Sequence, residues 1–149
     1  MDWKLELVLL PVTDVDRART FYAEQLGFRL DVDHHASEAF RVVQLTPPGS
    51  ACSISFGVGV SSAAPGSVQG LHLVVTDIEA AREQLLGKRV EVSEIFHFAQ
   101  GQRAPGPDPE RRNYYSYFSL NDPDGNGWLV QEVGYQPAST AARPTEHQP

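Results

Sequence analysis

The stretch LPVTDVDRARTFYAEQLG, residues 10–27, decides the fold, because the residues that begin and end its predicted helix occur a second time along the chain. Thr13-Asp14 closes one apolar run, and Thr76-Asp77 closes another about sixty residues later. An aspartate in this place is a preferred helix N-cap, since its carboxylate accepts free backbone N–H groups of the first turn. The sequence therefore predicts two helices that begin in the same way and belong to two copies of one unit.

Each predicted helix also ends in the same way, at a Leu-Gly pair. Leu26-Gly27 closes the first helix and Leu86-Gly87 closes the second. Glycine suits this place because it adopts the left-handed conformation of a C-cap without steric cost. The turns at Pro47-Pro48-Gly49 and Asp122–Gly125 correspond as well. The internal repeat thus extends over nearly the whole chain.

Runs of apolar or alternating residues follow each helix and predict strands. In both units the resulting order is βαβββ. The predicted strands are Leu5–Val12, Phe28–Asp33, Phe40–Leu45, Ser53–Phe56, Leu71–Val75, Val90–Phe96, Tyr114–Leu120 and Trp128–Val133. A loop rich in Pro, Gly and Arg is predicted over Ala99–Asn113.

Four segments follow from this order. The first module covers residues 1–57, a linker covers 58–69, the second module covers 70–134, and a polar tail predicted to be disordered covers 135–149. The predicted fold is α+β, with the two βαβββ modules pairing into a cupped, mostly antiparallel sheet and the helices outside. The concave face of such a sheet would offer a pocket between the modules.

Composition excludes several classes of protein. A net charge of −7 over 149 residues argues against a nucleic-acid partner, which would need a basic face. No apolar run reaches the roughly 18 residues of a membrane span, so no membrane partner is predicted. The single cysteine, Cys52, allows no intrachain disulfide and favours a reducing compartment, and no signal peptide is visible. We therefore expect a cytoplasmic protein.

The repeat and the turn Asp122-Pro123-Asp124-Gly125-Asn126 resemble the vicinal oxygen chelate superfamily, which includes glyoxalase I, bleomycin-resistance proteins and extradiol dioxygenases. The resemblance covers about Leu5–Val133. It implies the cupped fold above, and a ligand or substrate that is a small organic molecule. It also implies pairing of modules within one chain or between two, so a homodimer is possible.

Enzymes of that superfamily hold a divalent metal at four inward positions, which correspond here to Leu7, Ser53, Gly70 and Leu129. None of these residues is a good ligand for a transition metal, which prefers imidazole, carboxylate or thiolate donors. We therefore expect no metal and no other cofactor. A divalent metal is expected only under the alternative that the ligands are displaced, for example to His72 and Glu132.

The alternation of side chains between the two faces of a strand identifies the candidate pocket residues. His72 and Gln131 lie two residues beyond Gly70 and Leu129, and residues two apart on a strand share a face. His72 is either a hydrogen-bonded core histidine or an acid, base or ligand donor in the pocket. A register error of one residue would exchange Gln131 with Glu132. Ser53 and Ser55 form the matching inward pair of the first module.

The segment between Arg103 and Tyr117 is either a lid over the pocket or a solvated loop. Its arginines suit a carboxylate or phosphate, and its tyrosines combine an apolar face with a polar tip. Arg103, Tyr115 and Tyr117 are therefore candidate ligand contacts, whereas Asp108 and Glu110 are available to pair with the arginines. His97 either reaches the pocket or has no special role.

Three functions are compatible with these features of the sequence. The first is binding of a small organic molecule in the cup, with the option of metal-independent acid–base chemistry by His72. The second is a metal-dependent glyoxalase- or dioxygenase-type enzyme with displaced ligands. The third is a structural or regulatory partner whose cup is filled by its own side chains.

Overall fold

In a computed structural model of the chain, which describes residues 1–137, the first module has the predicted order βαβββ and the second has one strand more, βαββββ. The predicted tail lies outside the described residues from position 138 onward. The first module contains β1 (Leu7–Leu9), α1 (Val15–Thr20), β2 (Arg29–Ser37), β3 (Phe40–Thr46) and β4 (Ser53–Val58). The second contains β5 (Leu71–Val75), α2 (Ile78–Gly87), β6 (Phe96–Ala99), β7 (Gln102–Pro105), β8 (Tyr117–Asn121) and β9 (Gly127–Glu132). The predicted α+β fold is confirmed.

The strands form two mixed sheets. The first has the order β1-β4-β3-β2, and the second has the order β5-β9-β8-β6-β7. In each sheet the first strand runs parallel to the last strand of its module, and the other pairs are antiparallel. Strands β1 and β5 therefore each leave one edge without a partner among the described residues.

Both helices begin as the repeat predicts. The Asp14 carboxylate accepts a hydrogen bond from the backbone N–H of Arg17 at 3.0 Å, and Asp77 accepts one from Ala80 at 3.1 Å. Helix α1 continues through one π-helical turn at Phe21–Gln25. Gly27 then adopts the left-handed conformation, with a φ of 75°, that a residue with a side chain would adopt only under strain.

The predicted loop at Ala99–Asn113 is wrong in its first part, because β7 lies within it. Gln100 and Gly101 both have positive φ, which is the geometry of a tight hairpin turn joining β6 to β7. The three prolines of the segment suggested a loop. Pro105 is nevertheless compatible with a strand because it closes an edge strand.

One apolar core joins the two modules. It contains Val43, Leu45, Ile54 and Phe56 from the first sheet, Phe118, Leu120, Trp128 and Val130 from the second, and apolar residues of both helices. The Tyr22 ring lies at the centre, with ring centroids 5.9 Å from both Phe56 and Trp128. Each sheet therefore packs one face on the shared core and directs its other face away from it.

The outward face of each sheet is its open face. The first open face consists of Leu7, Leu9, Val42, Gln44, Ser53 and Ser55. The second open face consists of His72, Val74, Tyr117, Ser119, Leu129 and Gln131. Because both sheets use their opposite faces to build one core, the two open faces of a single chain do not enclose a common pocket.

A buried polar network fixes the junction of the modules. The indole N–H of Trp128 donates to the Tyr22 hydroxyl at 2.9 Å, and that hydroxyl donates to the Asp122 carboxylate at 2.8 Å. Asn126 donates both to Asp122, at 2.8 Å, and to the Pro11 carbonyl, at 3.0 Å. Burial and the nearby Asp122 charge raise the pKa of Tyr22 far above its ordinary value, so the phenol keeps its proton.

Replacing Tyr22 with Phe is expected to lower the free energy of unfolding by about 1–3 kcal/mol, because buried partners on Asp122 and Trp128 lose their hydrogen bonds. Urea unfolding measures the change. The matched control is Tyr114→Phe, at an exposed tyrosine. Equal stability of the two variants would show that the network does not hold the modules together.

Candidate functional site

The second open face places several of the predicted residues side by side. Strand register forms one row from Val74 through Gln131 and Tyr117 to Phe96, and another from His72 through Leu129 to Ser119. Directly paired residues of adjacent strands project from the same face of a sheet. His72 and Gln131 thus share a face that is directed away from the helices, as parity predicts, and their roles stay predictions.

His72 is exposed, so its interpretation as a packed core histidine is wrong. Its Nδ1 atom lies 2.5 Å from the carbonyl oxygen of Gly70. That contact fixes the ring through one nitrogen and leaves Nε2 for another partner. Gln131 is half-buried beside it. This pair offers an imidazole and an amide on a surface that is otherwise largely apolar.

Ser53 and Ser55 are buried on the first open face. The Ser53 hydroxyl lies 2.7 Å from the Thr46 hydroxyl and accepts a bond from the Gln44 amide at 3.3 Å. The Thr46 hydroxyl donates in turn to Asp31, and this bond lowers the pKa of the Asp31 carboxyl. Ser53 is therefore held within the sheet's own polar network, whereas Ser55 lies beside the edge strand β1.

The β6–β7 hairpin divides the remaining candidates between the two faces. Tyr117 and Arg103 join the second open face, since Tyr117 pairs with Phe96 and the Arg103 guanidinium carbon lies 3.6 Å from the centre of the Phe96 ring. The suggestion that His97 reaches the pocket is corrected. Its side chain projects to the opposite face, where Nδ1 lies 2.7 Å from the Gly106 carbonyl oxygen. Its side chain therefore does not reach this site.

Tyr115 lies on the loop before β8 rather than within the sheet. It is nearly half exposed, and the Arg112 guanidinium carbon lies 4.3 Å from the centre of its ring. Arg112 is bound in turn to the buried Asp108 carboxylate, by side-chain contacts of 3.0 Å. Tyr115 is thus part of an ion-paired loop beside the site, not of the open face itself.

Glu132 lies on the face opposite His72 and is completely buried. Its carboxylate accepts two bonds from the Arg111 side chain, at 2.7 and 2.6 Å, and one from the backbone N–H of Ile78 at 2.9 Å. Glu132 therefore anchors the start of α2. Because the two side chains project from opposite faces, the suggested metal pair of His72 and Glu132 is wrong.

Comparison with known proteins agrees with this architecture. The family model described as "Glyoxalase/Bleomycin resistance protein/Dioxygenase superfamily" matches residues 4–130. The chain belongs to this superfamily. A search of curated proteins found no significant match.

Solved structures of the superfamily share the fold. A glyoxalase/bleomycin resistance protein from Streptomyces sp. CB03234 is 27% identical with a TM-score of 0.67, and the match covers 87% of this chain and 100% of the other. TnmS3, an antibiotic binding protein from the same organism, is 27% identical with a TM-score of 0.68 over 88% and 96% of the two chains. A superfamily member from Sphaerobacter thermophilus DSM 20745 is 24% identical with a TM-score of 0.68, over 89% and 98%.

The residues at the superfamily's ligand positions do not fit a metal. Leu7 and Leu129 are aliphatic, Gly70 has no side chain, and the Ser53 hydroxyl is already bonded within the sheet. Among residues 1–137, no three His, Cys, Asp or Glu side chains gather in a way that would hold an ion. The superfamily's usual metal chemistry therefore has no donor set at its usual place in this chain.

The segment predicted as a lid is mostly bound to the protein itself. Arg111 contacts Glu132 and also Glu79, at 2.8 Å, while Arg112 contacts Asp108. The Arg111 pairs hold the segment against α2 and β9, and the Arg112 pair closes the segment on itself, so the lid interpretation does not extend to its second half. Within the described chain, no helix has the length and apolar character needed to cross a membrane.

The ion pair of Asp108 and Arg112 predicts a dependence of stability on pH. The hydrogen bonds from Arg112 lower the pKa of the buried Asp108 carboxyl from 3.8 to about 2. A carboxyl whose pKa is lower in the folded state stabilises the fold above its unfolded pKa, and this contribution disappears as the pH falls through the folded pKa. The stability difference between wild type and Arg112→Gln should therefore be full at about pH 6 and shrink between about pH 4 and pH 2.

Urea unfolding at several pH values measures this difference. Arg103→Gln is the matched control, because Arg103 makes no ion pair with another described residue and its removal should have an effect that does not vary with pH. A difference for Arg112→Gln that stays constant down to about pH 2 would contradict the assignment.

Proposed function

We propose that two copies of this chain pair so that the first open face of each protomer faces the second open face of its partner, and that each cup so formed binds a small organic molecule. The observation that carries the proposal is the shared core, which directs both open faces of one chain outward. A two-fold dimer would bring unlike faces together twice and form two equal cups.

Exposed apolar residues beside the free sheet edges support the pairing. Trp3, Leu5 and Leu9 lie at or before β1 and are 89, 70 and 41% exposed, and Val74 on β5 is 59% exposed. Several large apolar side chains exposed along a sheet edge favour an interaction site. The free edges of β1 and β5 add unpaired backbone groups at the same places. A second copy would cover both features.

The chemistry of the faces favours an organic ligand over an ion. They combine apolar side chains such as Val74, Leu129 and Leu9 with a few polar groups, chiefly His72 and Gln131, and this mixture is typical of small-molecule sites. The structural neighbour TnmS3, at 27% identity, is an antibiotic binding protein. Binding of this kind requires no resident metal, which agrees with the donor set.

His72 is the candidate for acid–base chemistry, should the ligand also be a substrate. Its imidazole is exposed on the second open face, with Nε2 free to approach a bound molecule. A cytoplasmic location, inferred from the single cysteine Cys52, belongs to the same proposal.

Replacing Val74 with Arg is expected to abolish both dimerisation and ligand binding, because it places an unpaired charge in an apolar interface. Sedimentation velocity measures the dimer, and fluorescence of the uncharged aromatic probe N-phenyl-1-naphthylamine measures the cup. The matched control is Leu86→Arg, at an exposed leucine on α2. A Val74→Arg protein that stays dimeric and binds the probe would refute the proposed cup.

Replacing His72 with Ala is expected to weaken binding of the same probe by about threefold, with no change in the midpoint of thermal unfolding, because the imidazole is exposed and contacts the ligand rather than the core. The control is His35→Ala, at an exposed histidine that pairs with Asp33 at 3.7 Å. Loss of stability without loss of affinity would assign His72 a purely structural role.

A further inference from the structure

The second open face ends in an aromatic platform on the β6–β7 hairpin. Phe96, Phe98 and Tyr117 form a closed triangle, with ring centroids separated by 5.4 to 5.9 Å. The Phe96 and Tyr117 rings are stacked at an interplanar angle of 28°. Half of the Phe98 surface remains exposed. The platform presents an apolar surface continuous with Gln131 and Leu129, since Tyr117 pairs directly with Gln131.

A single guanidinium covers part of this platform. The Arg103 guanidinium lies over the Phe96 ring at 3.6 Å, in the geometry of a cation–π contact. Stacking uses one face of the planar group and leaves its N–H groups in the plane available as donors. The hairpin fixes this position, because Arg103 pairs with Phe98 across the two strands.

Arg103 differs from the other arginines of its segment in its partners. Arg111 is bound to Glu132 and Glu79, and Arg112 to Asp108 and Glu110. Arg103 makes no ion pair with any carboxylate of residues 1–137; its contact there is the aromatic ring. A charged guanidinium on an apolar platform, without a carboxylate partner in the described chain, is available to an anion.

The charge of the surroundings supports the same conclusion. The chain has a net charge of −7, yet the strand residues of the second open face and the platform include no Asp or Glu. Glu132, on the adjacent position of β9, projects to the other side. The positive charge of Arg103 is therefore not neutralised on its own face.

We propose that the ligand of this cup is a planar aromatic anion, an aromatic ring system bearing a carboxylate, sulfonate or phenolate group. The ligand rings pack against Phe98 and Tyr117, because the Phe96 ring is buried beneath Arg103, and the anionic group accepts hydrogen bonds from Arg103. This assignment rests on the proposed function, since it names the class of molecule that the cup binds.

Two fluorescent probes that share an anilinonaphthalene skeleton separate the two parts of this proposal. 8-Anilinonaphthalene-1-sulfonate carries one negative charge, and N-phenyl-1-naphthylamine carries none. The wild-type dimer should bind both, and should bind the sulfonate more tightly. Arg103→Gln should weaken the sulfonate by about tenfold, the effect of losing a charge-assisted hydrogen bond, and change the uncharged probe by less than about twofold.

Three further variants complete the experiment. Arg103→Lys should retain part of the preference, because it keeps the charge but not the planar stack. Phe98→Ala should weaken both probes, because it removes part of the platform. Lys88→Gln removes one positive charge at an exposed lysine outside the open faces, and should leave both affinities unchanged.

The outcomes distinguish the two proposals. Binding of both probes with equal sensitivity, or equal insensitivity, to Arg103→Gln would overturn the aromatic-anion assignment while leaving the cup intact. Failure of the wild-type protein to bind either probe would overturn the proposed function itself, and the ligand class with it.

Discussion

The buried hydrogen bonds of Tyr22 determine how the two modules are joined. Its hydroxyl accepts a hydrogen bond from the Trp128 indole N–H and donates one to the Asp122 carboxylate, so a helix of the first module is bound to a strand and a turn of the second. A buried phenol, indole or carboxylate without these partners would destabilise the folded state. The network therefore specifies one arrangement of the modules, in which their helix-side faces share a core.

The open faces follow from that arrangement. A sheet has two faces, and the one used for the shared core is not available to form a pocket with the other module. His72 and Gln131 on one sheet and Ser55 on the other thus project away from the centre of the chain. We propose that a second copy supplies the missing half of each cup. In that dimer the aromatic platform and Arg103 would lie at one end of the cup and would determine the class of ligand.

The sequence predicts those features of the fold that depend on local chemistry. The N-caps Asp14 and Asp77 and the parity of His72 with Gln131 follow from backbone geometry and strand alternation, which short stretches determine. The aromatic platform was not predicted, because the prolines indicated a loop where β7 lies and because the predicted strand ended at Phe96, before Phe98. The role of Glu132 also escaped, since its partner Arg111 belongs to an irregular loop that no periodicity describes.

Complementation between two blocked variants tests the central claim most directly. Val32 is exposed and pairs with Gln44 on the first open face, so Val32→Arg blocks that face, whereas Gln131→Arg blocks the second open face. Each variant alone should bind no N-phenyl-1-naphthylamine. If the cup forms between chains, a co-refolded equimolar mixture should regain about one quarter of the wild-type sites, because half of randomly paired dimers are mixed and each of these has one intact cup. No recovery in a mixture that contains mixed dimers would contradict the account.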